Sequence, residues 1–147
     1  MLVEAGQILI LNMQVNNQGL VLNGHPYLVV FVNEINNYIE IAQVDSLAGK
    51  EYKAAKKSNK IIYYDNPVET VIDKDSYIQL DNSLRIEYFD ELTVMRRQLD
   101  KLSDSKFADV QKAYIDYQEN HQILENKQVY LSKQQVISLN SRLQNNI

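Results

Sequence analysis

Between Lys50 and Lys60 the chain carries Lys50, Lys53, Lys56, Lys57 and Lys60 against a single acidic residue, Glu51. This strip holds a local charge of +4 in a chain whose net charge is −4, which leaves −8 on the rest. A cationic strip on an acidic body is a directed field that favours a phosphate-rich partner. A solvated lysine-rich loop accounts for the same charges. Ser46 stands four residues before Lys50, and its hydroxyl can hydrogen-bond a phosphoryl oxygen or relay a proton. Histidine is the side chain suited to proton transfer near neutral pH, so His25 can act as acid or base. Arg85 can pair with a carboxylate or a phosphate. The rings of Tyr63 and Tyr64 can stack on bases, although core packing is the safer reading.

Each of these residues also has a structural explanation. His25, between Gly24 and Pro26, can serve as a local hydrogen-bonding residue. Asp45-Ser46 followed by Gly49 reads equally well as a turn. Asp75-Ser76 reads as a strand start. His121 receives no role.

Other chemistries find no support. With no cysteine and two distant histidines, the chain offers no thiolate nucleophile, no disulfide and no transition-metal cluster. None of the four glycines lies in a G-x-G-x-x-G or P-loop pattern, so no nucleotide cofactor is expected. No G-x-S-x-G elbow is present. No apolar run approaches the roughly 18–20 residues that span a bilayer. The start lacks a basic and an apolar leader segment. A cytoplasmic protein without membrane, metal or cofactor is the expectation. At 147 residues, with 45% hydrophobic and 23% charged residues, the chain fits one globular domain over 1–147.

The elements that must position these residues are mostly short strands. Gly6 to Met13 reads as a strand with apolar residues on both faces, and Gln14 to Gly24 as a loop. His25 to Val32 is β-branched and aromatic, with Pro26 where a missing N–H does least harm. Asn33 to Asn37 is a turn, and Tyr38 to Val44 alternates as a half-buried strand, forming a hairpin with its predecessor. Lys60 to Tyr64 is a further strand, broken by Asn66-Pro67. Ser76 to Leu80 and Leu84 to Phe89 follow, joined by Asp81-Asn82-Ser83. After Leu102 the period changes. Ser103 or Asp104 is the N-cap of a helix whose stripe is Phe107, Val110, Tyr114 and Tyr117. Val129 to Leu131 reads as an added strand. Ser132 to Gln135 is a capping-box pattern that opens a last helix through Val136, Leu139 and Leu143; residues 145–147 should fray. The expected class is α+β, a small barrel with packed C-terminal helices.

The order of these pieces resembles the MazF/PemK toxins. Gly6-Gln-Ile-Leu-Ile and Gly24-His25-Pro26-Tyr-Leu-Val-Val match that plan. So do Asp75-Ser76-Tyr-Ile78-Gln-Leu80, Arg85 and the helix from Leu102, over roughly residues 3 to 117. The chain also resembles the ToxN-like toxins of type III systems, including CptN-like members. There Gly24-His25-Pro26-Tyr27-Leu28 and Asp45-Ser46-Leu-Ala-Gly-Lys50 supply both motifs, which makes this branch the closer match. Where the MazF group has an arginine before the proline and a threonine after the next strand, this chain has His25 and Asp45-Ser46.

The resemblance implies an SH3-like, MazF-like barrel and a metal-independent endoribonuclease toxin. Such an enzyme uses the RNA 2′-OH as nucleophile. It needs an acceptor for the 2′ proton, a donor for the leaving 5′ oxygen, and positive charge on the phosphorane. Ser46, Lys50 and His25 would be catalytic, and Lys53, Lys56, Lys57, Lys60 and Arg85 would bind RNA. The hairpin would bring His25 and Ser46 to one rim. The implied partner is a repeated antitoxin RNA in a closed hetero-oligomer; a small acidic antitoxin protein fits the basic strip equally. A non-catalytic RNA-binding or adaptor barrel is the competing reading, and a purely structural module a third.

Overall fold

The computed structural model describes residues 1–65 and 68–144; the break at Asn66-Pro67 and the fraying at 145–147 fall outside them. Seven strands form one sheet among the described residues. They are β1 (Ile8–Gln14), β2 (Val21–Asn33), β3 (Tyr38–Ser46), β4 (Asn59–Ile62), β5 (Ser76–Gln79), β6 (Ser83–Glu87) and β7 (Gln128–Leu131). The helices are α1 (Glu51–Ala54), α2 (Asp104–Asn120), α3 (Lys133–Leu139) and α4 (Ser141–Gln144), with a 3-10 turn at Asp90–Met95. The class is α+β.

Strand β3 organises the sheet. One edge pairs with β2, from Tyr27↔Gln43 to Asn33↔Tyr38. The other edge is divided: Tyr38 to Ile41 pairs with β6, and Val44 to Ser46 with β5. The sheet therefore forks at β3, running to β5 and β4 on one branch and to β6 and β7 on the other. It does not close on itself. Pairing is antiparallel except between β6 and β7. The turn Asp81-Asn82-Ser83 does not make β5 and β6 a hairpin; it carries the chain from one branch to the other.

Side-chain alternation along these strands supplies two cores, one on each face. Leu9, Leu11, Tyr27, Val29, Ile39, Ile41, Leu84 and Ile86 form the first, closed by Val136 of α3 and Leu143 of α4. Ile8, Leu28, Val30, Ala42, Val44, Ile78 and Leu80 form the second, covered by Val110 and Tyr114 of α2. Each of these large side chains contributes roughly 1.5–3 kcal/mol by leaving water. An irregularity between Val29 and Phe31 shifts the β2–β3 register and turns the strand around the cores.

Three local expectations change. The segment from Val21 to Gly24, rich in loop-forming residues, is strand. It pairs with Met13 and Gln14, and Asn12 accepts the Gly24 N–H at 2.7 Å. The strand-compatible backbone bonds outweigh composition. Pro26 consequently lies well inside β2, but the β2–β3 ladder begins one residue later, at Tyr27. The last helix is split at Asn140. This buried amide donates to Asn12 and Val136 carbonyls and accepts the Asn12 N–H at 2.8 Å. It ties the break to β1. The capping box of Ser132 and Gln135 is formed. At α2, Ser103 occupies the N-cap position without a side-chain cap, and its own N–H donates to the buried Glu69 at 3.3 Å. No helix among the described residues is long and apolar enough to cross a membrane.

Candidate functional site

Where β3, β5 and β4 run side by side, alternation sets Gln43 and Asp45, Tyr77 and Gln79, and Asn59 on one face. These residues floor a polar groove of about 310 Å³. Its wall comes from the segment between β3 and β4. Lys50, Lys53 and Lys56 line it, with Ser58 and Asp81 at the ends. The turn that lifts Lys50 is held by its N–H donating to Leu47 O at 2.9 Å. Gly49 takes a positive φ of 77° there, a conformation that side chains disfavour. The one-turn helix α1 then presents Lys53, and Asn59 Nδ2 donates to Lys53 O at 2.7 Å, fixing the wall to the floor.

At the head of the groove lies Asp45, a buried carboxylate. One of its oxygens accepts from Gln79 Nε2 at 2.8 Å and from Gln43 Nε2 at 3.2 Å. The other lies 3.3 Å from Nε2 of His25 on β2, which is close enough for an ion pair although the N–H is not aligned as a hydrogen bond. Burial works against charge on Asp45. The His25 ring, the Gln79 amide and the Lys50 ammonium outweigh it and hold its carboxyl below the usual range. Asp45 is therefore an ionised group whose lone pairs are already engaged. It can orient the His25 ring but is poorly suited to accept a proton itself. Tyr27, whose ring meets that of His25 edge-on at 5.6 Å, is buried with a hydroxyl that has no hydrogen-bond partner among the described residues. Burial and the Asp45 charge push its ionisation well above the ordinary range.

The structure brings together some of the residues singled out in the sequence and separates others. Lys50, Lys53 and Lys56 share the groove, and His25 reaches its floor through Asp45. Ser46 does not line the groove. It is the next residue along β3, so it alternates to the other face, opposite Ser76. The juxtaposition expected of His25 and Ser46 is instead one of His25 and Asp45. Lys57 lines a separate hollow against α2. Lys60, opposite Ile78, lies on the reverse face of β4. Arg85 is on the other branch of the fork, where its Nε donates to Glu40 at 2.7 Å and its guanidinium caps the Tyr38 ring at 4.9 Å. Its role in the structure is to hold a buried carboxylate. Tyr63 is exposed, whereas Tyr64 packs on the second core. Asp75 and Ser76 do open β5.

Asp45, Gln43 and Gln79 carried no signal as functional residues. Only the polar pair Gln43 and Asp45, two apart on the face that Ile39 and Ile41 begin, marked a polar patch. Among the described residues no group of three or more His, Cys, Asp or Glu side chains is placed to hold a metal ion. The chain matches no protein-family model and no curated protein.

Proposed function

We propose that this chain is a metal-independent endoribonuclease of the toxin class, on a forked sheet related to the small SH3-like, MazF-like barrels, and that its groove holds a ribose-phosphate chain. The observation that carries this reading is the groove itself: Lys50, Lys53 and Lys56 line it together with an ionised Asp45 that lies 3.3 Å from Nε2 of His25. Cleavage proceeds by attack of the 2′ oxygen on phosphorus, with rupture of the bond from phosphorus to the 5′ oxygen. His25, oriented by Asp45, takes the 2′ proton in its neutral form or supplies one to the leaving oxygen in its charged form. Lys50, with Lys53 behind it, stabilises the phosphorane. The need for a 2′-OH selects RNA over DNA. The same lysines suit an inhibitory RNA with tandem repeats, so the natural partner is an antitoxin RNA in a cytoplasmic hetero-oligomer.

Purified protein incubated with RNA in EDTA should cleave it, and should leave the matching DNA intact. Replacing Lys50, Lys53 and Lys56 together by alanine should abolish cleavage. It should also lower the slope of log affinity against log salt by about 2, given roughly 0.7 per phosphate contact on a single strand. Salt-dependent binding without any cleavage would instead establish a non-catalytic RNA-binding protein. The position of Ser46 outside the groove favours that second reading.

A further inference from the structure

Beside the groove lies a second hollow of about 300 Å³ between the basic segment and the end of α2. Asn59 lines both, at the sheet edge that β4 forms. In the second hollow His121 stacks on Tyr117, their ring centroids 4.0 Å apart and their planes within 8°. Lys57 stands at its rim, and Leu80 and Ala113 give it an apolar base. Its character differs from that of the groove: one lysine rather than three, and a flat aromatic surface. Such a combination of a cationic track leading to an aromatic platform is how single-stranded nucleic acids are held, with a base on the ring and phosphates on the track.

Away from Lys57, the polar groups of this hollow include several acceptors. Asn59 Nδ2 is committed to Lys53 O, and Asn120 Nδ2 to Asp116 O at 2.7 Å. Each amide keeps its oxygen and one further N–H for a ligand. His121 Nδ1 lies 3.1 Å from Tyr117 O, an acceptor, so in the neutral ring it carries the proton and Nε2 is left as an acceptor. The Asp116 carboxylate, exposed and without a hydrogen bond among the described residues, adds two more acceptor oxygens. The Asp116 carboxylate repels phosphate from its own part of the hollow and selects a base edge that presents donors. Guanine presents N1–H and N2–H₂ side by side, which a carboxylate can accept together; the other bases offer no such adjacent pair.

We propose that this hollow is a base-recognition subsite, in which a guanine of the RNA strand stacks on His121 and is read by Asp116, with Lys57 on the adjoining phosphate. The inference rests on the RNA reading of the groove and assigns that site a sequence preference. It is tested with the intact protein, by measuring affinity for an all-uracil 2′-O-methyl oligoribonucleotide, which lacks the attacking hydroxyl, and for one carrying a single guanine. The guanine-bearing strand should bind about tenfold more tightly, the scale of one stacked, read base. H121A should remove most of that preference, and H121F, which restores an aromatic face, should recover the stacking part of it. D116N should cut the ratio of the two affinities toward one. If the wild-type protein binds no RNA at all, the functional reading fails and the subsite with it. If RNA binds at the lysine groove with no preference for guanine, or H121A and D116N leave the preference untouched, the subsite is refuted while the functional reading stands.

Discussion

Strand β3 carries two buried carboxylates, Glu40 and Asp45, and each meets a cation from a neighbouring strand. Glu40 faces α2 and the β6 branch of the fork. It is held by Arg85 at 2.7 Å, beneath Tyr114, whose ionisation is pushed far up by burial and by the Glu40 charge. Asp45 lies on the opposite face, at the β5 branch, with His25 at 3.3 Å and three lysines above it. The two arrangements look alike as contacts and differ in what they can do. A guanidinium remains charged at every accessible pH and binds its carboxylate as a permanent tie. An imidazole can release and regain its proton near neutrality. Only the second opens onto a cationic groove. The proposed function assigns chemistry to the carboxylate that meets an imidazole beside the lysine groove, and a structural role to the one tied by a guanidinium.

That contrast can be broken most decisively at His25. His25→Ala should lower RNA cleavage by about 10²–10⁴-fold, the usual range for a positioned acid or base, with much smaller effects on RNA affinity. Retention of near-normal turnover in single-turnover assays would make the Asp45 pair as structural as the Glu40 pair. The complementary change, Arg85→Ala, should cost about 2–3 kcal/mol in urea unfolding, because it leaves Glu40 buried without a partner. The value sits below that of a fully buried pair because the guanidinium is 45% exposed. Cleavage per folded molecule should not change; a selective loss of RNA affinity would return Arg85 to the RNA-binding surface.

A pH titration sharpens the comparison further. Asp45 has its folded carboxyl below the usual value, so its pairing adds stability above the unfolded carboxylate pKa of about 3.9. That contribution disappears as pH falls through the lower folded value. Asp45→Asn should therefore flatten the acid side of a stability-versus-pH curve, and an unchanged acid limb would show that Asp45 is not held in its charged form. The smallest effect is expected at Ser46. Ser46→Ala should leave cleavage within about twofold, and a hundredfold loss would move the chemistry from the groove to the opposite face of the strand end.

Much of the fold was legible residue by residue. The stripe of Phe107, Val110, Tyr114 and Tyr117 marked α2, the pattern Ser132 to Gln135 marked a capped helix start, and the alternation from Tyr38 marked β3. The site was legible only in part. The lysine strip itself was legible, but which of its members share the groove was not: Lys50, Lys53 and Lys56 line it, whereas Lys57 and Lys60 lie elsewhere. The expectation that His25 meets Ser46 failed by a single residue. The register Tyr27↔Gln43 sets Asp45, not Ser46, on the face of His25, and a step of one along a strand reverses every side chain. Of the two partners the sequence offered Arg85, a carboxylate or a phosphate, the structure shows the carboxylate. That partner, Glu40, lies on β3, far away in the chain, and nothing beside Arg85 in sequence shows that a buried carboxylate awaits it.

The amino-acid order alone determined the elements and the cationic strip, since periodicity, capping and local charge depend on near neighbours and on backbone sterics. Tertiary structure decided the fork of the sheet at β3, the register that pairs His25 with Asp45, and the sorting of cations into groove, hollow and ion pair. Those outcomes come from long-range burial of two apolar faces at once, and the free energy that selects among registers is a property of the whole packed sheet rather than of any segment within it.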